Sequence, residues 1–281
     1  NIKQEIKWKK ALKSDHHQKL INLSKLKHNE TNLNSILNIW PETAFLGLFP
    51  RDKYLLKDLS LRFLNPKKNE FLFVGSISQN KNDYYNSALL LDSKSHIVDI
   101  YNKNILVPFG EFLPLRELFS KFNFFENKID FSSGHQNKAI SIRNHYKFVP
   151  LICYEILFSD LIFKSLDQDT SIIINITNDA WFGNTIGPIQ HFLFAKIRAV
   201  EFGIPVIRVA NTGYSGLVSP YGEVIKKLNF NEQGTLSFKL INKLNDTMFR
   251  KYGDYLFIIL LSFTFMVNLI FKKYFQEMEN S

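Results

Sequence analysis

The sequence predicts a layered α/β domain followed by one apolar carboxy-terminal helix. Two patterns carry that expectation. Short apolar runs recur from residue 1 to about residue 245 with helix-length spacers between them, and several are apolar on consecutive residues, as strands covered on both faces are. Beyond them, residues 255–271 form an uncharged run of 17. The composition agrees: 281 residues, 45% hydrophobic and 22% charged, with 27 Phe, supply a sizeable core.

Strands are expected at 35–40 (SILNIW), 71–78 (FLFVGSIS), 87–92 (SALLLD), 96–101 (HIVDIY), 147–153 (KFVPLIC) and 171–177 (SIIINIT). Shorter ones are expected at 205–210 (PVIRVA), 215–219 (SGLVS) and 234–240 (GTLSFKL). The clearest helix spans 188–202. Pro188 suits its first turn, where a missing N–H costs nothing, and Gly203 suits its stop. Ile189, Phe192, Leu193, Ile197 and Val200 form its expected buried stripe. No repeat or low-complexity linker divides residues 1–248, which read as one domain.

The carboxy-terminal run, YLFIILLSFTFMVNLIF, has no polar face, only Ser262, Thr264 and Asn268. A buried helix is usually amphipathic, whereas a membrane span needs about 17–25 mainly apolar residues. A transmembrane helix is therefore expected over 254–273, with Lys272, Lys273 and a short tail (274–281) on the cytoplasmic side and everything before Gly253 outside the cytoplasm. Arg250 and Lys251 at the other end weaken that charge asymmetry.

The net charge of +9 suits anionic lipid, but no basic stripe interleaved with aromatics points to nucleic acid. A single cysteine excludes an internal disulfide. His16, His17, His96, His135 and His191 show no metal-ligand spacing with a second ligand type, so neither a metal nor a cofactor is expected. The chain starts at Asn1 with no signal-peptide pattern and reads as a fragment or processed product.

Three polar residues each follow an apolar strand: Glu42 after SILNIWP, Lys103 after HIVDIYN and Cys153 after KFVPLI. Sites in layered α/β folds gather beyond the carboxyl ends of strands. A carboxylate, an ammonium and a thiol brought together there can transfer acyl groups. The carboxylate takes the thiol proton, the thiolate attacks a carbonyl, and the ammonium stabilises the oxyanion and lowers the thiol pKa. Read alone, each residue is equally an ordinary one, and Cys153 fits a small core side chain.

The surrounding words go further. WPET (40–43), YNKNILVPFGEFLP (101–114), ICYE (152–155), NITNDAWFG (175–183) and AKIRAVEFGIPVIRVANTGYSGLVSPYGEV (195–224) resemble the nitrilase superfamily, in that order. YNKNILVPFGEFLPL and NDAWFGNTIGPIQHF are most similar to its membrane-bound branch, the apolipoprotein N-acyltransferases. The resemblance covers almost the whole chain. It implies a nitrilase-like α-β-β-α sandwich over 1–248 and a Glu–Lys–Cys triad carried by Glu42, Lys103 and Cys153, with Glu111 as a supporting glutamate. It also implies the reaction: an acyl chain passes from a phospholipid, typically phosphatidylethanolamine, to Cys153 as a thioester. From there it passes to the α-amino group of an apolipoprotein's diacylglyceryl-cysteine. The expected setting is the bacterial inner membrane, with the domain on its periplasmic side.

Around the triad, Trp8 matches a tryptophan near the family's substrate pocket, and Trp181, Phe182 and Gly183 are expected to shape it. The N–H after Cys153, on Tyr154, is a candidate oxyanion donor. Glu155 either orients Lys103 or satisfies buried backbone. Arg198 and Glu201 read as a structural ion pair, and Asn211 and Thr212 as the pocket rim. FLGLFP (45–50) and FLPLRELFSKFNFF (112–125) are greasier than solvated loops need to be, so at least one is expected to face lipid. Set against the family, the chain reads as lacking the several membrane helices that normally precede this domain and is expected to begin inside the first strand. Two other readings stay open: a soluble amidase or carbamoylase with the same triad, and an inactive membrane-tethered remnant that binds lipid or lipoprotein.

Overall fold

The computed structural model describes residues 1–25, 35–114, 130–142 and 146–279. Two mixed sheets stack face to face with helices outside each. In the first sheet, β1 (Ile36–Ile39), β3 (Glu70–Asn80), β4 (Asp83–Leu91) and β5 (Ile97–Asn102) lie in that order, and β2 (Phe45–Phe49) also pairs with β3. The second runs β11 (Val224–Leu228), β10 (Ser215–Val218), β9 (Val206–Asn211), β8 (Thr170–Asn178), β7 (Tyr146–Ile152), β6 (Ile140–Ile142). The outer layers are α2 (Lys13–Lys25) and α3 (Lys53–Leu61) on the first sheet, α4 (Ser159–Ser165) and α5 (Gly187–Phe202) on the second. A short α1 (Gln4–Lys7) begins the chain; α6 (Met248–Tyr252) and α7 (Tyr255–Glu279) end it.

The unbroken apolar strands follow from this layering. Phe71 and Phe73 point inward with Ala88, Leu90 and Tyr101, while Leu72 and Val74 between them pack outward on Ile21, Leu56 and Leu59. In the second sheet Phe148 and Ile152 face the first, and Val149 and Leu151 face α4 and α5. With both faces buried, alternation disappears from the sequence. Phe73 and Phe148 meet edge to face, 5.0 Å between centroids, and join the two sheets.

Besides the chain start, where α1 stands in place of the expected strand, four sequence expectations are corrected. Residues 45–49 form strand β2, with Phe45 and Leu46 buried in the outer core, so FLGLFP is not a lipid-facing loop. Of the other greasy segment, residues 115–125 lie outside the described residues; Leu113, before them, is buried. Residues 234–240 form no ladder. They line a cavity of about 1090 Å³ together with Ile36–Ile39, whose strand pairs only with β3 on its other side. The short β6 and β11 were not expected. The fourth correction concerns α5, which buries Phe192, Ala195, Ala199 and Phe202, whereas Ile189, Leu193, Ile197 and Val200 face outward. Two alanines let the helix approach the sheet more closely than branched side chains would allow, and side-chain size misled the periodicity.

Helix α7 follows from the composition of residues 255–271. Residues Tyr255–Lys273 form a segment long and apolar enough to cross a membrane, none of it buried against the domain.

Candidate active site

Strands β1 and β5 both run parallel to β3, so both end at one edge of their sheet. That edge carries Glu42 and Lys103. In the second sheet β7, β8 and β9 are mutually parallel, and their ends carry Cys153, Asn178 and Asn211. The two edges are tied together: the Asn178 backbone N–H donates to Glu42 Oε2 at 2.8 Å, across 136 residues of sequence. Chain direction thus brings Glu42, Lys103 and Cys153 into one place.

Each is buried. Glu42 is 6% exposed, Lys103 1% and Cys153 8%. Asn86, on the antiparallel neighbour β4, donates its one amide group to Glu42 Oε1 at 2.7 Å and to Glu111 Oε1 at 2.8 Å. Glu111 Oε2 accepts from the Lys103 ammonium at 2.7 Å and from the Val107 N–H at 2.8 Å. Glu111 therefore holds the lysine, and Asn86 couples the two glutamates. Gly75 makes room for this: a Cβ there would come within 2.6 Å of Glu42 Cα.

The electrostatics are those of a dry, charged pocket. Burial would lower the Lys103 pKa, but Cys153, Glu42 and Glu111 hold it above the ordinary lysine value. Burial, then the Glu42 charge, push the Cys153 thiol up to about 12, against the pull of Lys103 and the Thr177 hydroxyl. At neutral pH the resting thiol keeps its proton and needs a base to lose it. Cys153 sits at φ +55°, in the left-handed region, at the start of the 3-10 turn Cys153–Leu157.

Glu155 is buried and takes the second of its two expected roles. It accepts from the backbone N–H groups of Asn104 (2.6 Å), Ile105 (3.2 Å) and Ile152 (2.7 Å), and from the Tyr101 hydroxyl (3.0 Å). It pins the loop after Lys103 to the turn of Cys153. Burial raises its pKa to about 7. Tyr154 stacks on His191 at 5.3 Å and lies 6.1 Å from Phe182. Trp181 is 70% exposed and Trp8 41%. Asn211 holds the backbone N–H and carbonyl of Ile2 (2.7 Å each) and donates to Asn178 Oδ1, so it orders the strand ends. The Thr212 backbone N–H donates to the Asn1 side chain at 3.0 Å, tying the chain start to the same rim. Arg198 and Glu201 form an ion pair at 2.7 Å on α5.

Sequence reasoning missed Lys7, Asn86 and the Asp179–Arg208 pair. Lys7, 2% exposed, donates to the Glu42 carbonyl at 3.2 Å and to Thr43 Oγ1, and burial lowers its pKa to about 8. Nothing in its surroundings in sequence marked it or Asn86. Arg208 did carry a signal: a charge within the apolar strand PVIRVA must find a buried partner.

Two stacked sheets between helices, with a thiol, a carboxylate and an ammonium at their shared edge, define a protein of the α-β-β-α class. The carbon-nitrogen hydrolase family model matches residues 3–242, and the chain belongs to that family. A carbon-nitrogen hydrolase from Helicobacter pylori superposes with a TM-score of 0.59, at 18% identity over 79% of this chain and 82% of its own. An amidase from Nesterenkonia gives 0.56, at 16% identity and the same coverage. Among curated proteins, the apolipoprotein N-acyltransferase of Rickettsia typhi is 35% identical over 247 residues, 86% of this chain and 49% of the relative. That of Rhodopseudomonas palustris is 32% identical over 286 residues, 97% of this chain and 53% of the relative. The chain spans about half the length of the curated relatives it matches.

Proposed function

We propose that this chain is the catalytic part of an apolipoprotein N-acyltransferase, with Glu42, Lys103 and Cys153 as its triad. Glu42 accepts the Cys153 thiol proton as sulfur attacks the ester carbonyl of a membrane phospholipid. The oxyanion is met by the Lys103 ammonium and the Tyr154 N–H. Collapse breaks the ester C–O bond, Glu42 returns the proton to the departing lysophospholipid, and the acyl chain stays on sulfur as a thioester. The α-amino group of a diacylglyceryl-cysteine then attacks, Glu42 takes its proton, and the amide forms as Cys153 leaves with that proton restored.

The observation that carries this reading is the buried Lys103–Glu111–Asn86–Glu42 array around a single cysteine. Such an array is costly to bury and adds little net stability, so action on charge that develops during reaction is what accounts for it here. The choice of lipid over a small amide rests on α7 and on the names of the relatives. In this reading residues 1–248 are the catalytic domain, α7 spans the bacterial inner membrane over 254–273, residues 274–281 are cytoplasmic, and the domain lies on the periplasmic side. Trp8, Trp181 and Phe182 line the substrate path.

The test is intact mass spectrometry of the chain after incubation with phosphatidylethanolamine vesicles. An acyl-sized adduct that is absent from Cys153→Ala is the expected result. No adduct, together with hydrolysis of small amides, would replace this reading with an amidase.

A further inference from the structure

A second buried network reaches the nucleophile through its main chain. Arg208 donates to Asp179 Oδ1 (3.0 Å) and Oδ2 (2.8 Å) and to Asn175 Oδ1, with Arg208 and Asp179 fully buried. Thr177 Oγ1 donates to Asp179 Oδ1 at 3.1 Å. His191 reaches from α5 into this network. Its Nδ1 lies 3.1 Å from Asp179 Oδ1 and its Nε2 3.1 Å from the main-chain oxygen of Cys153. The same oxygen accepts from Asn175 Nδ2 at 3.2 Å. Gly213 allows the close packing around Asp179, since a Cβ there would fall within 2.6 Å of the carboxyl carbon.

Two side-chain nitrogens within hydrogen-bond distance of one carbonyl oxygen matter because of what that carbonyl belongs to. The peptide joining Cys153 to Tyr154 is planar, so its C=O and N–H point in opposite directions. Fixing the oxygen on His191 and Asn175 fixes the Tyr154 N–H on the other side. It also sustains the left-handed backbone of Cys153, which a side-chain-bearing residue adopts only when its surroundings enforce it. We propose that His191 is a positioning residue for the Cys153 nucleophile. In the proton state this role requires, Nε2–H donates to the Cys153 carbonyl and so aims both the thiol and the following N–H at the substrate carbonyl. The proposal rests on Cys153 being the nucleophile, but not on which acyl donor it uses.

The groups facing His191 are Asp179, the Cys153 carbonyl and, through Asp179, Arg208, with the Tyr154 and Phe182 rings against its faces. Burial and Arg208 lower its pKa, while Asp179 and the Cys153 carbonyl act the other way. Both ring nitrogens face acceptors, so both contacts are hydrogen bonds only in the imidazolium, and the neutral ring that burial and Arg208 favour keeps one of them. A proton on Nε2 is the one the positioning role requires.

The experiment uses the whole chain in detergent and a p-nitrophenyl ester, whose burst of nitrophenolate reports acylation of Cys153 without any lipid. His191→Gln keeps an amide donor in the same space, whereas His191→Phe keeps the ring packing on Tyr154 and Phe182 without a donor. Gln is expected to retain most of the acylation rate at saturating ester. Phe is expected to lose about 10²-fold, the scale of a small misplacement of reacting groups, with KM little changed. Equal rates for the two, or Phe faster than Gln, would overturn the role. Nitrogen-15 NMR of the unmutated chain at neutral pH should find His191 Nε2 protonated; a bare Nε2 would overturn it independently of how any variant folds. A wild-type chain with no burst would instead remove Cys153 as the nucleophile and the positioning role with it.

Discussion

Replacing Lys103 with methionine separates catalysis from stability. Lys103 is 1% exposed, and its ammonium donates to Glu111 Oε2 at 2.7 Å. Methionine fills the same space without a charge and strands the Glu111 carboxylate in a buried site. Breaking such a pair costs about 3–5 kcal/mol. Glu111 keeps hydrogen bonds from Asn86 and Val107, both 2.8 Å, so the lower end applies. For a domain of this size about 3 kcal/mol corresponds to a melting point lower by about 6–12 °C. Pairing Lys103→Met with Glu111→Gln removes the stranded charge and should restore part of that loss, since the new NH₂ must face the Asn86 amide or the Val107 N–H. Catalysis should not follow. If the ammonium acts on the oxyanion, both the single and the double variant form the Cys153 acyl adduct about 10²–10³-fold more slowly than wild type. Thermal melts and timed intact-mass measurements on the same preparations supply both numbers. A double variant that recovers its rate along with its stability would make Lys103 a structural residue and end its role in the triad.

Glu42→Gln should leave Cys153 unacylated, because the amide takes no proton, and should cost about 1–3 kcal/mol, because its NH₂ must face the Asn86 amide or the Asn178 N–H that the carboxylate accepts; lysophospholipid release at the normal rate would remove Glu42 from the chemistry. Glu155→Gln should destabilise by about 1–3 kcal/mol, since its NH₂ must face a donor N–H that the carboxyl accepts. The sign with pH follows from a folded-state pKa raised to about 7 from 4.5. Wild-type stability from this group is fully present below about pH 4.5 and is lost as pH rises to 7, while the amide has no such loss. The gap in denaturation free energy should therefore narrow across that window, and a widening gap would show that Glu155 is ionised throughout. Deleting residues 254–281 should release the domain into the soluble fraction on alkaline carbonate extraction, still folded; full-length chain that washes off equally well would deny α7 a membrane role.

Much of this protein is legible in one dimension. Runs such as FLFVG and SIIINIT have both faces apolar, a pattern that demands covered strands and so a layered fold. Glu42, Lys103 and Cys153 each follow such a run, and the apolar length of residues 255–271 is a property of composition alone. What the tertiary structure decided is how those ends meet. Glu42 owes its geometry to Asn86 and to a backbone N–H 136 residues away, and the turn of Cys153 is tied to Glu155, with His191 against its carbonyl. Such partners are selected by sheet order and chain direction, which no local window contains. The buried face of α5 was misread for a related reason: close packing on the sheet favours Ala195 and Ala199 over larger apolar side chains, and buries His191 and Arg198 because partners await them. Hydrophobicity is a property of a residue, but burial is a property of its neighbours.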